Sequence, residues 1–365
     1  MVQKQPIKML CIGEPLKEYV ATCQPDGQLT DERLIGFAGD VAPNMASYAK
    51  MAAREFDVPC TIDVLTALGA QGDAPSDGAI KDLQDRGLGI HLYTKRFANK
   101  SMGTVTNLKT PDGTQAAEKV RLDRKDSAFR DLLNDATDDD LRRMAKDYTH
   151  IVVSGIPLAC VRERAKLVRL LQYAKENVPP AKVIVSTNLR PSNWQMPDNE
   201  HVDGIKPADP AWKEKARRWL DEIIPMADTL VANFTDEKNL RGSTEPTQTA
   251  KNLRRLNPKA EIVLTDDDKP IQLMYHDGKR DVATSMHIHR AEKVVDTVGA
   301  GDSLAATYVF AREAGYSPVQ AARFGTYVAS QVVGFDGALP KVGELLSFTL
   351  PGVRASEITA HPTRP

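Results

Sequence analysis

Residues 294–305 read VVDTVGAGDSLA, and this stretch joins a β-branched pair, a turn of glycine and alanine, and an aspartate. The two valines predict the end of a strand, and residues 303–315 predict an amphipathic helix that ends at a glycine. Between them, Gly299, Ala300 and Gly301 have side chains too small to cover their backbone amides. Amides at a helix start attract anions, so the stretch predicts a phosphate site between a strand and a helix.

Asp302 follows this turn directly, at a position where its charge would repel a bound phosphate. An acid is useful there if it takes a proton from a hydroxyl that attacks phosphorus, while the amides stabilise the transferred group. Such general-base help is worth about 10²–10⁴-fold in rate. The alternative is that Asp302 only caps the helix, because aspartate is a favoured capping residue.

Outside this stretch, short apolar runs alternate with segments of helical periodicity. The runs that predict buried strands cover residues 7–13, 60–69, 149–155, 182–188, 228–233 and 261–266. Residues 136–148 and 162–177 predict helices between them. This alternation predicts an α/β fold with a parallel sheet covered on both faces, and ligands at the carboxyl ends of its strands.

Three segments depart from the alternation. Residues 14–37 and 90–124 predict a small flap of antiparallel sheet, with a turn at 111–113. Residues 191–219 form a polar insert, which we assign to the surface without a function. We interpret the whole of residues 1–365 as one domain with these additions.

The composition argues against several classes of partner. The chain has 48 Lys and Arg against 49 Asp and Glu, so its net charge of −1 gives no overall field for nucleic acid or an anionic membrane. Aromatic residues make up 6%, without a basic stripe interleaved with rings. The four cysteines form no CxxC pair, and the first residues have too short an apolar stretch for a signal peptide. We therefore expect a cytoplasmic protein with no nucleic-acid or membrane partner.

His287 and His289 form a separate candidate site. Their spacing puts both rings on one face of a predicted strand, where they could bind a metal. Neither a cysteine nor a third histidine lies nearby in the sequence. A polar sheet face is the favoured interpretation, and the metal site is the alternative.

The string DTVGAGD at residues 296–302 matches the D-T-x-G-A-G-D signature of the ribokinase-like (PfkB) carbohydrate kinases. The resemblance extends in order over most of the chain, through residues 12–20, 36–52, 67–90 and 186–194. It implies a three-layer αβα sandwich with a mostly parallel sheet and a small β flap. It also implies phosphate transfer from ATP, with Mg²⁺, to a sugar hydroxyl, and a homodimer formed through the flap. Whether a monovalent cation is required stays open at this point.

The same resemblance assigns roles to the phosphate-binding residues. Asp302 would be the catalytic base, and the amides of Gly299, Ala300 and Gly301 would form the anion hole, with Gly301 also contacting the nucleotide.

The resemblance also predicts which residues bind the metal ion and the nucleotide. Asn233 belongs to an N-x-x-E motif in which Asp236 stands where glutamate is usual and Glu237 follows, and these acids would organise Mg²⁺ through water. Thr265 remains from a threonine-glycine nucleotide loop. Residues 266–268 are three aspartates where a glycine is expected, and acids beside a triphosphate need magnesium or a shifted nucleotide.

For the substrate, the segments GEPLKEY, AGDVAPN, NLRPSNW and VRLDRKDSAF look most like the 2-keto-3-deoxygluconate kinase branch. Arg124 and Arg190 match its substrate-contacting arginines, and a guanidinium binds a carboxylate in a two-pronged geometry. Gly39, Asp40 and Asn44 would meet the sugar hydroxyls. The product would be the 6-phosphate. The alternatives are another sugar kinase, such as a fructokinase, and a non-catalytic sugar- or nucleotide-binding paralogue.

Overall fold

The computed structural model describes residues 6–111, 115–123, 127–194, 211–344 and 346–348. Its strands are β1 Ile7–Ile12, β2 Pro15–Cys23, β3 Leu29–Gly39, β4 Cys60–Leu65, β5 Ala67–Gly69, β6 Gly89–Ile90, β7 Lys95–Phe97, β8 Thr104–Lys109, β9 Gln115–Asp123, β10 His150–Ser154, β11 Lys182–Ser186, β12 Thr229–Asn233, β13 Glu261–Thr265, β14 Ile271–His276 and β15 Asp281–Met286. The helices are α1 Val41–Glu55, α2 Ala74–Asp85, α3 Asp138–Lys146, α4 Gly155–Cys160, α5 Arg164–Glu176, α6 Pro191–Trp194, α7 Ala211–Ile223, α8 Phe234–Arg241, α9 Pro246–Leu256, α10 Ala300–Glu313 and α11 Pro318–Val332. Two short 3₁₀ turns lie at Ala128–Asp131 and Ile224–Met226.

The main sheet, as far as the chain is described, has nine strands in the order β15-β14-β13-β12-β11-β10-β1-β4-β6. All neighbouring pairs from β13 to β6 are parallel, and β14 and β15 add an antiparallel edge. The strand order reverses at β1, which lies between β10 and β4. Parallel sheets of this kind bind ligands beyond the carboxyl ends of the strands, at the point of reversal.

Burial along the strands indicates helices on both faces of this sheet. Every residue of β10 is buried, as are the last four of β1. A strand buried on both faces has no polar alternation, which is why these segments read as continuous apolar runs. The predicted α/β fold, with a mostly parallel sheet and a small separate sheet, is confirmed.

The flap is a four-stranded sheet in the order β3-β2-β8-β9. Its outer pairs are antiparallel, but β2 and β8 run parallel, so the prediction of an antiparallel flap is corrected to a mixed one. The segment 90–124 is also divided, because β6 joins the main sheet and β7 pairs with β5. The predicted turn residues Asp112 and Gly113 lie outside the described part of the chain.

Two further predictions need correction. Val294 and Val295 form no strand, since the Val295 amide bonds to the Val333 carbonyl at 2.7 Å and Val294 is 63% exposed. The described ends of the insert are α6 and the start of α7, and they bury Trp194 and Trp212 in the main core instead of lying on the surface. Among the described residues, no helix has the length and apolar character needed to cross a membrane.

Candidate active site

The turn before α10 has the backbone geometry of an anion site. Gly299 adopts φ +84°, and a Cβ there would lie 2.3 Å from the Ala338 carbonyl oxygen, so the position requires glycine. The first full helical bond runs from the Ser303 amide to the Gly299 carbonyl at 2.9 Å, and earlier amides of the turn therefore lack α-helical acceptors. A Cβ built on Gly301 would meet no described atom within 4 Å. The turn is therefore open beside Gly301, while the Ala300 amide donates to the Thr297 carbonyl at 3.5 Å.

Asp302 is the third residue of α10 and is partly buried. Gly299 occupies the N-cap, and α10 has no side-chain cap bond, so Asp302 does not serve as the cap. Its carboxylate Oδ2 instead accepts a hydrogen bond from Asn44 Nδ2 at 2.8 Å. The Gly39 amide donates to the other end of the same side chain, Asn44 Oδ1, at 2.7 Å. Three residues predicted separately are therefore joined in one chain of hydrogen bonds.

Burial raises the pKa of Asp302 to about 6, while the hydrogen bond from Asn44 and the charge of Arg190 oppose this rise. The carboxylate is therefore mostly ionised at pH 7 but close enough to neutral pH to exchange a proton. A pKa near the working pH is what a general base needs.

Asp40 lies at the start of α1, next to this chain of hydrogen bonds. Its Oδ1 accepts from the Ala42 amide at 3.1 Å, so it is the N-cap of α1, and its own amide donates to the Glu14 carbonyl at 2.8 Å. The residue is buried. Its contact with a sugar hydroxyl stays a prediction.

A second group of predicted residues lies at the carboxyl ends of β12 and β13. Asn233 and Thr265 are register partners, and Asn233 Nδ2 donates to Thr265 Oγ1 at 3.4 Å. The Asn233 Oδ1 accepts from the Thr235 amide at 2.8 Å and the Asp236 amide at 3.3 Å, which caps α8. The sheet register therefore brings the N-x-x-E-like motif and the nucleotide loop side by side.

Asp236 points from α8 toward the end of β11. Its Oδ2 accepts a hydrogen bond from the Leu189 amide at 2.9 Å. Burial raises the pKa of Asp236 to about 6, Arg190 and the Leu189 bond oppose the rise, and Asp267 adds to it. Because the exposed Arg190 also lowers the pKa of Asp302, its charge acts on both carboxylates of the site.

Glu237 lies elsewhere, although it is the next residue along the chain. Its carboxylate is 1% exposed and pairs with Arg241 at 2.9 Å, and Arg241 also binds Asp221 of α7 at 2.6 Å. Burial raises the pKa of Glu237 to about 7, against the charge of Arg241. A ligand for hydrated magnesium needs access to solvent, so this geometry favours Asp236 over Glu237.

The three aspartates after Thr265 differ in their surroundings. Asp266 is buried and pairs with Lys269 at 3.2 Å, while Asp267 adopts φ +50° at the tip of the turn. A cavity of about 470 Å³ opens beside this loop. It is lined by Asp268, Lys269, Pro270, His287, Ile288 and Arg290. Cavities that hold small ligands fall in this range of volume.

The histidine pair does not form a metal site in the described residues. Strand β15 ends at Met286, so His287 and His289 follow the strand instead of sharing one of its faces. His287 lines the cavity, whereas the His289 ring contacts Tyr327 with centroids 5.4 Å apart. The described part of the chain contains no group of three potential metal ligands.

One predicted site residue lies outside the described part of the chain, and one buried acid at the site is not among the predicted residues. Arg124 lies outside the described residues. Glu14, buried at the end of β1, accepts from the Gly103 amide at 3.2 Å and from the Ser127 hydroxyl. It thus connects the strand to the base of the flap. A charged residue two positions after a buried strand is the available sequence signal, since ligands meet such strand ends.

Comparison with known proteins gives concordant findings. Residues 205–341 match the model of the pfkB family carbohydrate kinases. The chain is 27% identical over 308 residues to a 2-dehydro-3-deoxygluconokinase of Dickeya dadantii, covering 83% of this chain and 89% of that protein. It is 27% identical over 318 residues to the Escherichia coli protein of the same name, covering 83% and 90%. A ribokinase-type structure from Escherichia coli, in complex with ATP and Mg²⁺, has a TM-score of 0.69 at 15% identity and covers 92% of this chain and 94% of that chain.

Proposed function

We propose that this chain, which carries a PfkB-family carbohydrate kinase domain, transfers the γ-phosphate of ATP to the terminal hydroxyl of 2-keto-3-deoxygluconate. The observation that carries the proposal is Asp302, a partly buried carboxylate held by Asn44 in the first turn of α10. The two relatives at 27% identity, both named 2-dehydro-3-deoxygluconokinases, support this sugar acid as the substrate.

Asp302 is the base of this reaction. Its Oδ2 is engaged by Asn44, which leaves Oδ1 to accept the sugar hydroxyl proton. As that proton moves to Asp302, the hydroxyl oxygen forms a bond to the γ-phosphorus, and the bond from phosphorus to the bridging oxygen of ADP breaks. The amides of Gly299, Ala300 and Gly301 stabilise the charge that spreads over the transferred group.

The residues at the carboxyl end of β12 fit a bound Mg²⁺ ion. Asp236 offers a hard carboxylate oxygen at the carboxyl edge of the sheet, and burial together with Asp267 disfavours its charge, so a nearby cation would stabilise it. Magnesium bound there would neutralise phosphate charge. Asn233 orders the first turn of α8, on which Asp236 lies, and thereby fixes the carboxylate.

The nucleotide belongs on the side of β13 and β14. Thr265 ends β13, and the cavity of about 470 Å³ lies beside the following loop. Lys269 pairs with Asp266 and so cancels one of the three acidic charges that a triphosphate would meet. The departure from a threonine-glycine loop is therefore compatible with ATP.

The sugar lies between α1 and the flap. Gly39 ends flap strand β3, Asp40 caps α1, and Asn44 leads to the base. Arg190 is the described arginine whose charge reaches Asp302, and it is exposed and so able to meet a sugar carboxylate. Arg124 is the second arginine of the proposal.

A homodimer through the flap is a further part of the proposal. Leu34 is 51% exposed on β3, which is an edge strand of the flap. Exposed apolar residues on an edge strand favour pairing with another copy. Sedimentation of the wild type and of Leu34→Lys tests this, since the substitution should yield a monomer.

The direct test is a coupled ADP-release assay with Mg²⁺ and a panel of sugars. We expect turnover with 2-keto-3-deoxygluconate at a kcat/KM about 100-fold above that with fructose or ribose, because a carboxylate contact separates them. Equal turnover with a neutral sugar would favour another sugar kinase, such as a fructokinase. Sugar binding by calorimetry without turnover on any sugar would favour a non-catalytic paralogue.

A further inference from the structure

Lys109 is a flap residue whose side chain is buried against the loop that precedes the anion turn. It ends strand β8, and its side chain is 10% exposed. Its Nζ donates to the Val295 carbonyl at 2.6 Å. The same ammonium lies 3.8 Å from Asp296 Oδ2 and 3.5 Å from Asp336 Oδ1. One cation of the flap therefore contacts a carbonyl and two carboxylates of the kinase core.

The loop that Lys109 contacts leads directly into the phosphate-binding turn. Asp296 is 1% exposed, and its two oxygens accept from the Val298 amide at 3.0 Å and the Gly337 amide at 3.3 Å. Ala338 follows Gly337, and its carbonyl oxygen would lie 2.3 Å from a Cβ at position 299, so this position requires glycine. Asp296 thus connects Val298, which precedes Gly299, to Gly337, whose neighbour Ala338 packs against Gly299.

The flap also reaches this junction through a second strand. Glu18 of β2 accepts from the Ala338 amide at 2.9 Å and from Asn107 of β8 at 2.8 Å. Asp296 is close enough to raise the pKa of Glu18 electrostatically. Lys109 therefore contacts one buried carboxylate, Asp296, and one that is 38% exposed, Asp336, while Arg86 is the cation that lowers the pKa of Glu18. A buried carboxylate such as Asp296 requires a positive partner, and the Lys109 ammonium lies 3.8 Å from it.

We propose that Lys109 is a positioning residue, whose ammonium acts as a built-in cation that joins the flap to the loop of the anion turn and holds that turn in its active geometry. The inference rests on the proposed kinase function. The proposal predicts that wild-type turnover requires no monovalent cation, because the Lys109 ammonium already lies among these oxygens.

The test compares the wild type with Lys109→Met, which keeps the apolar stem and removes the charge. Turnover is measured in ammonium, potassium or tetramethylammonium chloride at one ionic strength of about 0.1 M, so that screening is constant. We expect wild-type kcat to differ by less than about twofold among the salts. Tetramethylammonium is too large for the space that the lysine ammonium occupies. In this salt we expect the kcat of Lys109→Met to fall by about 100-fold, because the turn that holds the catalytic groups is misplaced.

Rescue distinguishes a local cation from a general structural role. Ammonium or potassium should restore kcat of Lys109→Met by about tenfold or more, because each small cation can occupy the space left by the side chain. Lys109→Arg, which keeps the charge, should retain more activity than Lys109→Met in tetramethylammonium. Full activity of Lys109→Met in tetramethylammonium, or a loss that neither small cation reverses, would overturn the proposal.

Arg33→Met is the matched control. Arg33 is another flap cation, and it pairs with Asp336 at 3.4 Å, but its side chain is 62% exposed. Removing an exposed partner should change kcat by less than about twofold in every salt. A loss equal to that of Lys109→Met would mean that any flap charge suffices, which contradicts the specific role of Lys109.

Thermal unfolding keeps this test separate from the proposed function. If the wild type phosphorylates no sugar of the panel, the kinase proposal fails, but cation binding can still be read from melting temperatures. Ammonium should raise the melting temperature of Lys109→Met by about 2 °C or more relative to tetramethylammonium and leave the wild type unchanged. An equal response of the two proteins would overturn the built-in cation. If Lys109→Met does not fold, Lys109→Gln replaces it with the same expectations.

Discussion

Asn44 and Asp302 are joined by a hydrogen bond of 2.8 Å, although 258 positions separate them in the chain. The Gly39 amide orients the Asn44 side chain by donating to its oxygen, so the nitrogen must face Asp302. A donor aimed at a carboxylate favours its ionised form and fixes its direction. The bond therefore links the predicted sugar segment to the predicted base.

The first prediction concerns the base itself. Asp302→Asn removes the proton acceptor while keeping its size, so we expect kcat to fall by about 10²–10⁴-fold. Sugar affinity, measured by calorimetry, should change much less, because the amide still fits beside Asn44.

Asp138→Asn is the control for this substitution. Asp138 is also an acid in the first turn of a helix, α3, and its side chain is 62% exposed. Its removal should leave kcat within about twofold of the wild type. Turnover of Asp302→Asn at the level of this control would contradict the proton transfer.

The second prediction concerns pH. Since the pKa of Asp302 is about 6, kcat/KM should decline about tenfold per pH unit below that value, as the carboxylate becomes protonated. Asn44→Leu removes a bond that lowers this pKa, so the acid limb should move to higher pH. Initial rates from pH 5 to pH 9 measure both profiles.

Ser47→Ala is the matched control on α1. Ser47 is buried one turn beyond Asn44, and its hydroxyl bonds to the Pro43 carbonyl at 3.2 Å instead of to Asp302. It should keep the wild-type acid limb. An Asn44→Leu limb that coincides with that of the wild type would argue against Asp302 as the titrating base.

These residues also mark what could be predicted from sequence. The strand and helix patterns were sufficient for the fold because buried strands read as continuous apolar runs. The DTVGAGD turn was readable because small residues before a helix have few other uses. The bond between Asn44 and Asp302 has no such local signal, since it depends on how α1 packs against α10.

Local patterns failed where a tertiary contact decided the outcome. The pattern of Val294 and Val295 predicts a strand end, yet the amides of Val295 and Asp296 both bond to the Val333 carbonyl, and the segment is a loop. Lys109 has no local signal, because one lysine at the end of a polar flap strand is typical of a solvated charge. Asp236 and Glu237 could not be separated by composition, because a helix turns about 100° per residue and sends adjacent side chains to different surroundings.

The third prediction separates these two acids. Asp236→Asn should raise the Mg²⁺ concentration for half-maximal turnover by about tenfold, because it removes a charged oxygen from the site. Glu237→Gln should leave that concentration within about twofold, because its carboxylate is buried against Arg241. Titrating Mg²⁺ at saturating ATP measures both, and a larger shift for Glu237→Gln would reverse the assignment.

The fourth prediction is that the base costs stability. The pKa of Asp302 rises from 3.8 to about 6 in the folded protein, so the folded state binds more protons than the unfolded state between these values. Stability from this group is therefore present at low pH and is lost as pH rises through about 6. Asp302→Asn removes the effect, so at pH 8 we expect a free energy of unfolding about 1–2 kcal/mol above that of the wild type, allowing for partial solvent access.

The difference between the two proteins should shrink toward pH 4, where Asp302 is protonated in the folded wild type. Burial also raises the pKa of Glu18, Asp236 and Glu237, but these groups are common to both proteins and cancel in the comparison. Denaturant unfolding at pH 4, 6 and 8 measures the trend. A variant less stable than the wild type at pH 8, or a difference independent of pH, would mean that burial does not raise the pKa of Asp302 and would remove the reason for its activity as a base near neutral pH.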